Sequence, residues 1–573
     1  FNRAFLKSHL VVGTGVTVIG KFDKRKNVIT ASDIKLETLS AKIKIEPVYH
    51  LTNGITNKNI STYINMALLG NYKEIVDFIP LEYQEKYNFV NKRTALNIVH
   101  NPPSLEKLEE AKNRLKYEEL FSFMFKINYL KMENKNKNSG IKKEIDTKKI
   151  DEFIKTLPFE LTVDQEKAVS DIVKDLASEG KMNRLLQGDV GSGKTIVSFL
   201  AIYANFLAGY QSALMAPTEI LAMQHYNNMK DIFKDININI ALLTRSTNKK
   251  EKDKILTSLA NNEIDVIVGT HSLIQEEVKY SNLGLVITDE QHRFGVNQRA
   301  NLENKGKKPD TLYMSATPIP RTYALTIFGD MDVSTIKTRP KGRKKIHTVV
   351  KKETEMKDVL TMMYEELKQD HQIYVIAPLI EESENSDLAN VNELKDKLTV
   401  AFGSKYKIGL IHGKMATVAK DKIMNDFLLN KCQILISTTV IEVGVDVPNA
   451  TMMVIFDANR FGLSTLHQLR GRVGRNDLQS HCVLISNQDT ERLHIMEKTT
   501  DGFEISEEDF KLRGHGDLFG TKQSGDMSFK IANIKNDYSI LLRAREDSYQ
   551  YLLKKTEEEK QLKMKIIESI IHS

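Results

Sequence analysis

One eight-residue stretch limits the fold of this 573-residue chain more than any other: Gly188-Asp189-Val190-Gly191-Ser192-Gly193-Lys194-Thr195, which satisfies G-x-x-x-x-G-K-[ST]. The apolar run before it reads as a strand. After it, Ile196, Phe199, Leu200, Tyr203 and Leu207 fall on one face of a helix. A glycine-rich turn between a strand and a helix N-terminus points backbone N–H groups inward, and the helix end adds a field that favours phosphate. The stretch predicts a nucleotide cradle in which Lys194 meets the β/γ-phosphates and Thr195 ligates magnesium.

The surrounding pattern agrees. Beyond residue 155, short apolar runs alternate with helical spacing, as parallel βαβ units require. Strands are expected at Arg184–Gln187, Ala213–Ala216, Asp265–Val268, Leu285–Thr288 and Leu312–Ser315, then, after the basic stretch Lys337–Lys345, at Ile373–Ala377, Ile408–Ile411, Ile434–Ser437, Met452–Phe456 and Cys482–Ile485. Two α/β domains joined by a basic hinge follow from this, with a helical tail behind them. The strand Leu285–Thr288 ends in Asp289-Glu290, two carboxylates suited to holding a metal and polarising a water. Upstream, residues 10 to 45 alternate in the strand manner, with Gly13, Gly15 and Gly20 as punctuation, and read as part of a small β-barrel. Residues 46 to 130 turn helical, with an amphipathic helix expected over Leu105–Leu130. Lys131–Lys149 carries almost no apolar content and reads as an exposed linker.

Composition removes alternatives. Cys432 and Cys482, fifty positions apart, support neither a disulfide framework nor a zinc site, and no apolar run approaches the ~18 residues of a membrane helix. The opening FNRAFLKSHLVVGTGV is too polar for a secretion signal, so a cytoplasmic protein is expected; a chain beginning at Phe1 is expected to have lost an upstream segment. The balance of 82 Lys+Arg against 75 Asp+Glu suits a polyanion partner without specifying one.

Asp289-Glu290-Gln291-His292 and Ser315-Ala316-Thr317 resemble motifs of superfamily 2 helicases. In order along the chain, Ala216-Pro217-Thr218-Glu219, Gly269-Thr270-His271, Ser437 to Asp446 and Gln468 to Arg475 resemble further motifs of that superfamily, over about 155 to 485. The resemblance implies two RecA-like motor domains. It places Asp289 on magnesium, Glu290 on the attacking water, and Arg472 and Arg475 as fingers on the γ-phosphoryl group. It also places Phe159 and Gln165 at the adenine, Asp446 among the nucleotide-binding residues with Gly188, Gly191 and Gly193, and Thr218, Thr270 and Thr439 on one nucleic-acid strand.

Within the superfamily, DEQHRFGV from Asp289, SATPIPRT from Ser315, and Gly502-Phe503 followed by LRGHGDLFGTKQSG from Leu512 are similar to the RecG family. GKFDKRKNVITASDIKLE and IEPVYHLTNGITNK resemble the end of that family's wedge domain and its connection to the motor. The likeness implies a partial OB-like wedge over 1–45, a helical linker region over 46–155, ATP-binding and C-terminal motor domains over 156–345 and 346–495, and a translocation hairpin with a helical region over 496–573. Arg492, Arg513 and Gln523 match the hairpin's functional positions. Gly514-His515-Gly516 departs from the family's usual proline between these glycines, and Thr288 replaces an aliphatic residue. The implied activity is ATP- and magnesium-driven translocation on branched and double-stranded DNA, by a monomer, for repair and recombination. An RNA-unwinding helicase, an ATP-gated DNA-binding scaffold and the transcription-repair coupling factor, which shares the hairpin, are the competing readings.

Overall fold

The computed structural model describes residues 11–23, 27–35, 45, 47–52, 54–70, 75–137, 140–290, 302, 305–316, 318, 331–338, 344–377, 384–413, 415–438, 447–513, 529–533, 536–554 and 562–568. The chain forms two compact units: residues 1–128 together with 527–573, and residues 129–526. Among the described residues, no helix is long and apolar enough to cross a membrane.

In the first unit, strands β1 (Thr17–Asp23) and β2 (Val28–Lys35) form an antiparallel hairpin whose register slips between Ile19 and Gly20. A Cβ at Gly20 would overlap the Thr30 carbonyl oxygen, so the bulge needs glycine. Phe22 pairs with Ile29, and both are about half exposed. The described part of the expected barrel is this hairpin, and Lys42, Ile43 and Lys44 lie outside the described residues.

Helices α1 (Asn57–Leu69), α2 (Leu81–Lys86), α3 (Lys92–His100) and α4 (Leu105–Lys137) follow. Tyr117, Leu120, Phe121, Met124 and Phe125 of α4 are buried within the unit, and Arg114, fully buried, is paired with Asp77 and Glu118. A helix from the far end of the chain, Tyr538–Leu553, completes this core through Asp547. The Asp547 carboxylate accepts from the Tyr87 and Tyr117 hydroxyls at 2.8 and 2.7 Å and from Lys86 Nζ at 2.8 Å, while Tyr83 donates to its backbone carbonyl at 2.9 Å. Burial, then the hydrogen bond to Asp547, pushes the Tyr117 hydroxyl far above its ordinary range. The Glu119 carboxylate accepts from three consecutive backbone N–H groups, Lys530, Ile531 and Ala532, at 2.8 to 3.0 Å.

The second unit holds two α/β lobes. The first lobe comprises β3 (Asn183–Gly188), β4 (Gln211–Met215), β5 (Ile240–Leu243), β6 (Val266–Gly269), β7 (Leu283–Thr288), β8 (Asp310–Ser315) and β9 (Asp332–Ile336). All pair in parallel, in the order β5-β6-β4-β7-β8-β3-β9. Helices α5 (Thr147–Thr156), α6 (Val163–Leu176), α7 (Lys194–Leu207), α8 (Glu219–Ile232) and α9 (Lys249–Ala260) accompany the sheet. Strands β4, β7 and β8 are buried along their whole length, as a sheet covered on both faces demands.

The second lobe is a parallel sheet of β10 (His347–Lys351), β11 (Gln372–Ile376), β12 (Ile408–Ile411), β13 (Ile434–Ser437), β14 (Ala450–Ile455) and β15 (His481–Ile485), ordered β10-β15-β14-β11-β13-β12. Its helices are α10 (Met356–Lys368), α11 (Glu384–Phe402), α12 (Thr417–Leu428), α13 (Leu463–Arg470), α14 (Glu491–Lys498) and α15 (Gly502–Arg513).

Within Lys131–Lys149, Lys142, Glu144 and Asp146 to Lys149 are exposed, as the composition suggests, but the segment is not a free linker. Helix α4 continues to Lys137, and the chain then runs against the first lobe, where Gly140 N donates to Glu179 O at 2.7 Å. Lys143 is 2% exposed; its Nζ donates to Gly284 O at 2.8 Å and to Asp310 Oδ2 at 2.6 Å. A lysine that pairs 167 positions away reads locally as surface.

Candidate ATP site and nucleic-acid cleft

The phosphate loop follows β3 and opens α7. Gly191 and Gly193 have φ of +72° and +85°, left-handed values that glycine adopts without strain. A Cβ at Gly188 would overlap Ser192 Oγ and reach 3.0 Å from Ile336 O, so the loop's first position also excludes side chains. Gly193 caps α7 without a side chain, which leaves the first-turn N–H groups available to an anion. Ser192 Oγ is buried and has no partner among the described residues. Lys194 Nζ donates to Gly188 O at 2.8 Å and Asp189 O at 2.9 Å. Burial holds its pKa below the ordinary lysine value, with Arg475 adding to the shift and Glu290, Asp289 and Asp189 opposing it.

Asp289 and Glu290 leave the end of β7 beside this loop. Asp289 Oδ1 accepts from Glu290 N at 3.0 Å, and His225 Nε2 lies 2.9 Å from Oδ2. Burial pushes the Asp289 carboxyl up, but His225, Lys194 and the Glu290 N–H together hold it below the usual carboxylate range. Glu290 has φ of +50°, a strained conformation for a non-glycine residue that the fold retains at this carboxylate.

From the second lobe, α13 ends at Arg470 and the next turn carries Arg472, 7% exposed, and Arg475. A Cβ at Gly471 would meet Val190 of the loop at 2.8 Å. His467 Nε2 lies 2.6 Å from Asp189 Oδ1, and its Nδ1 is 3.0 Å from an Arg470 nitrogen that belongs to a guanidinium also donating to Met496 O and Thr499 O. Gly502, the first residue of α15, packs so tightly on His467 and Asp189 that no Cβ fits. The loop, α13 and the start of α15 therefore share one joint.

Gln165 sits where α6 begins. Its Oε1 accepts from Thr162 N at 2.8 Å in a capping box, and its Nε2 donates to Ser192 O at 2.8 Å, so its amide braces the loop. Phe159 is 48% exposed.

A cleft of about 880 Å³ is lined by residues of both lobes, including Thr218, Thr270 and Ser437, and by none of the phosphate loop. Arg245, Lys249, Lys252, His271, His412 and Lys420 line the same cleft together with Glu219, Asp253, Glu277 and Asp421, and Lys252 is paired with Glu277. Thr218 caps α8, its Oγ1 accepting from Leu221 N at 3.4 Å. Arg492 lies on α14 and is not among the residues that line the cleft; Arg513 ends α15, and its side chain is outside the described part. Thr439, Asp446 and Gln523 lie outside the described residues, as do Gln291, His292 and Thr317. The sequence reading passed over His225 and His467: a single histidine in a helix carries no local signal, and both are singled out only by carboxylates brought to them by the fold.

A phosphate loop on one parallel-sheet lobe, arginines from a second lobe beside it and a polar cleft lined by both define a two-lobed, RecA-like helicase motor driven by ATP. Residues 162–325 match the family model of the DEAD/DEAH box helicases, and residues 352–477 that of the helicase conserved C-terminal domain. Residues 499–569 match the model described as ATP-dependent DNA helicase RecG, domain 3, C-terminal. The chain is 47% identical over 552 residues to the ATP-dependent DNA helicase RecG of Bacillus subtilis, covering 96% of this chain and 81% of that one. It is 47% identical over 550 residues to that of Streptococcus pneumoniae, covering 95% and 81%. A solved structure of RecG bound to a three-way DNA junction is similar with a TM-score of 0.69 and 40% identity, over 94% of this chain and 73% of that chain. The chain belongs to the RecG family of ATP-dependent DNA helicases.

Proposed function

We propose that this helicase uses magnesium-ATP to step along duplex DNA and remodel branched DNA, regressing forks and migrating Holliday junctions as a cytoplasmic monomer in repair and recombination. The observation that carries the reading is the convergence of Lys194, Asp289, Glu290 and Arg475, from two lobes, on one phosphate loop. The residues suit a nucleoside triphosphate: glycines where side chains cannot fit, a buried Ser192 Oγ with no partner among the described residues, and a helix start with no side-chain cap. Thr195 and Asp289 would hold magnesium, whose chemistry when bound is to neutralise charge on the β- and γ-phosphate oxygens. Lys194 supplies a further positive charge, Glu290 orients the attacking water, and Arg472 and Arg475 meet the charge that builds on the γ-phosphoryl oxygens. Phe159 and Gln165 border the base, and Asp446 completes the nucleotide contacts from the second lobe.

Thr218, Thr270 and Thr439 contact the strand in the cleft, and Arg492, Arg513 and Gln523 transmit the stroke to the duplex. The five-part division, from a wedge over 1–45 to a hairpin and helical region over 496–573, is the functional organisation we assign. The junction-bound relative supports branched DNA as the substrate here, and the match over 499–569 favours DNA over RNA.

ATP turnover measured with forked DNA, linear duplex, single-stranded DNA and RNA is the direct test. Forked DNA is expected to stimulate most and Lys194→Ala to abolish the response. Stimulation by RNA alone would overturn the DNA reading, and no phosphate release with any nucleic acid would favour an ATP-gated scaffold. Phosphate contacts in the cleft also predict salt-sensitive binding: Lys249→Ala should reduce the slope of log K against log salt by about 1, uniformly across sequences.

A further inference from the structure

Helix α8 begins in the cleft and passes the nucleotide site. Thr218, which lines the cleft, caps its first turn, and His225 stands seven residues on, about 10 Å along the axis. The His225 ring is 5% exposed, with Nε2 at 2.9 Å from Asp289 Oδ2. Its Nδ1 is buried without a partner among the described residues, so the polar contact to Asp289 is what orients the ring. Phe199 of α7, the helix that the phosphate loop opens, meets the ring edge-on with centroids 6.4 Å apart. Asp289 is fixed at its other oxygen by the Glu290 N–H, and its own N–H donates to Met215 O of β4, the strand that leads into α8. One rigid element thus carries a cleft residue at its start and a side chain on the site's carboxylate two turns later.

We infer that His225 is a positioning residue that couples the two sites: a shift of α8 on DNA binding re-aims the Asp289 carboxylate through the His225 contact and so sets how far DNA stimulates ATP turnover. The inference rests on the proposed roles of Asp289 at the nucleotide and Thr218 at the strand. Because coupling between binding sites is reciprocal, nucleotide must change DNA affinity by the same factor through the same contact.

The test is a binding cycle on the full chain, in wild type, His225→Ala and His225→Gln. Forked-DNA affinity is read by fluorescence anisotropy with and without a non-hydrolysable ATP analogue, and the affinity for a fluorescent form of the same analogue is read with and without forked DNA. In His225→Ala the ratio of DNA affinities with and without nucleotide is expected to fall to within about twofold of one, a larger change than in either separate affinity, with DNA-stimulated kcat down about 10-fold. His225→Gln, whose amide can donate to the same carboxylate, is expected to restore most of both. A wild-type ratio of one, an unchanged ratio in His225→Ala, or a glutamine variant no better than alanine overturns the inference. Retained turnover in Lys194→Ala would instead indict the underlying assignment of the site.

Discussion

Arg475→Ala is expected to lower kcat for DNA-stimulated ATP turnover by about 10³-fold or more while nucleotide affinity changes little, the usual scale for removing an arginine finger. Burial is what lowers the Lys194 pKa, and Arg475 adds a smaller push in the same direction, so its charge is felt at the phosphate loop although it belongs to the other lobe. Its Nε also donates to Gly471 O at 3.4 Å, holding the guanidinium against the turn that touches Val190. Arg475→Lys keeps the charge but loses the planar fork, and should recover only a small part of the rate. Steady-state turnover beside fluorescent-nucleotide binding separates the two effects. A loss below tenfold in kcat, or a loss entirely in affinity, would remove Arg475 from the transition state.

Lys143→Met should destabilise the first lobe by about 3–5 kcal/mol near neutral pH, because it strands the Asp310 carboxylate, which is 3% exposed. Burial already holds the Asp310 carboxyl above its ordinary range, with Lys143 opposing, so the variant carboxyl rises further. A folded-state value above the unfolded one means that the native state keeps a proton the unfolded chain releases; stability present at low pH is then lost as pH rises through the folded value. Urea denaturation should therefore show a smaller deficit for Lys143→Met at pH 5 than at pH 8. Lys143→Met with Asp310→Asn, which retains an acceptor for the Met182 N–H, should recover much of the loss. Equal deficits at both pH values, or a double variant no more stable than the single one, would rule out an unpaired buried charge as the cause.

The motor could be read from sequence because its signals are local. Glycine at 188, 191 and 193 with a lysine and a threonine at a helix start form one cluster, and two adjacent carboxylates after an apolar strand form another further along; each is complete within its own few residues, and the ten expected strands fall within two residues of observed ones. Strands β5, β9 and β10 were missed: β5 has four residues, and β5, β9 and β10 lie at sheet edges, where only partial burial weakens the apolar pattern. Features that rest on distant partners were not readable at all. Lys143 meets Asp310, His467 meets Asp189 across 278 positions, and Asp547 meets tyrosines more than 400 positions earlier. Polar residues of this kind look like surface until the fold supplies the partner.

The carboxylate of Asp547 also has a consequence for biosynthesis. Tyr83, Tyr87 and Tyr117 emerge from the ribosome early, whereas Asp547 emerges only after residues 129–526 have been made. At about 5–20 residues per second those roughly 400 residues take some 20–80 s, during which the N-terminal helices must wait with three tyrosines lacking the helix that supplies their partner. The motor, contiguous in sequence, can finish folding first, and the N-terminal unit closes last, when the end of the chain returns to it.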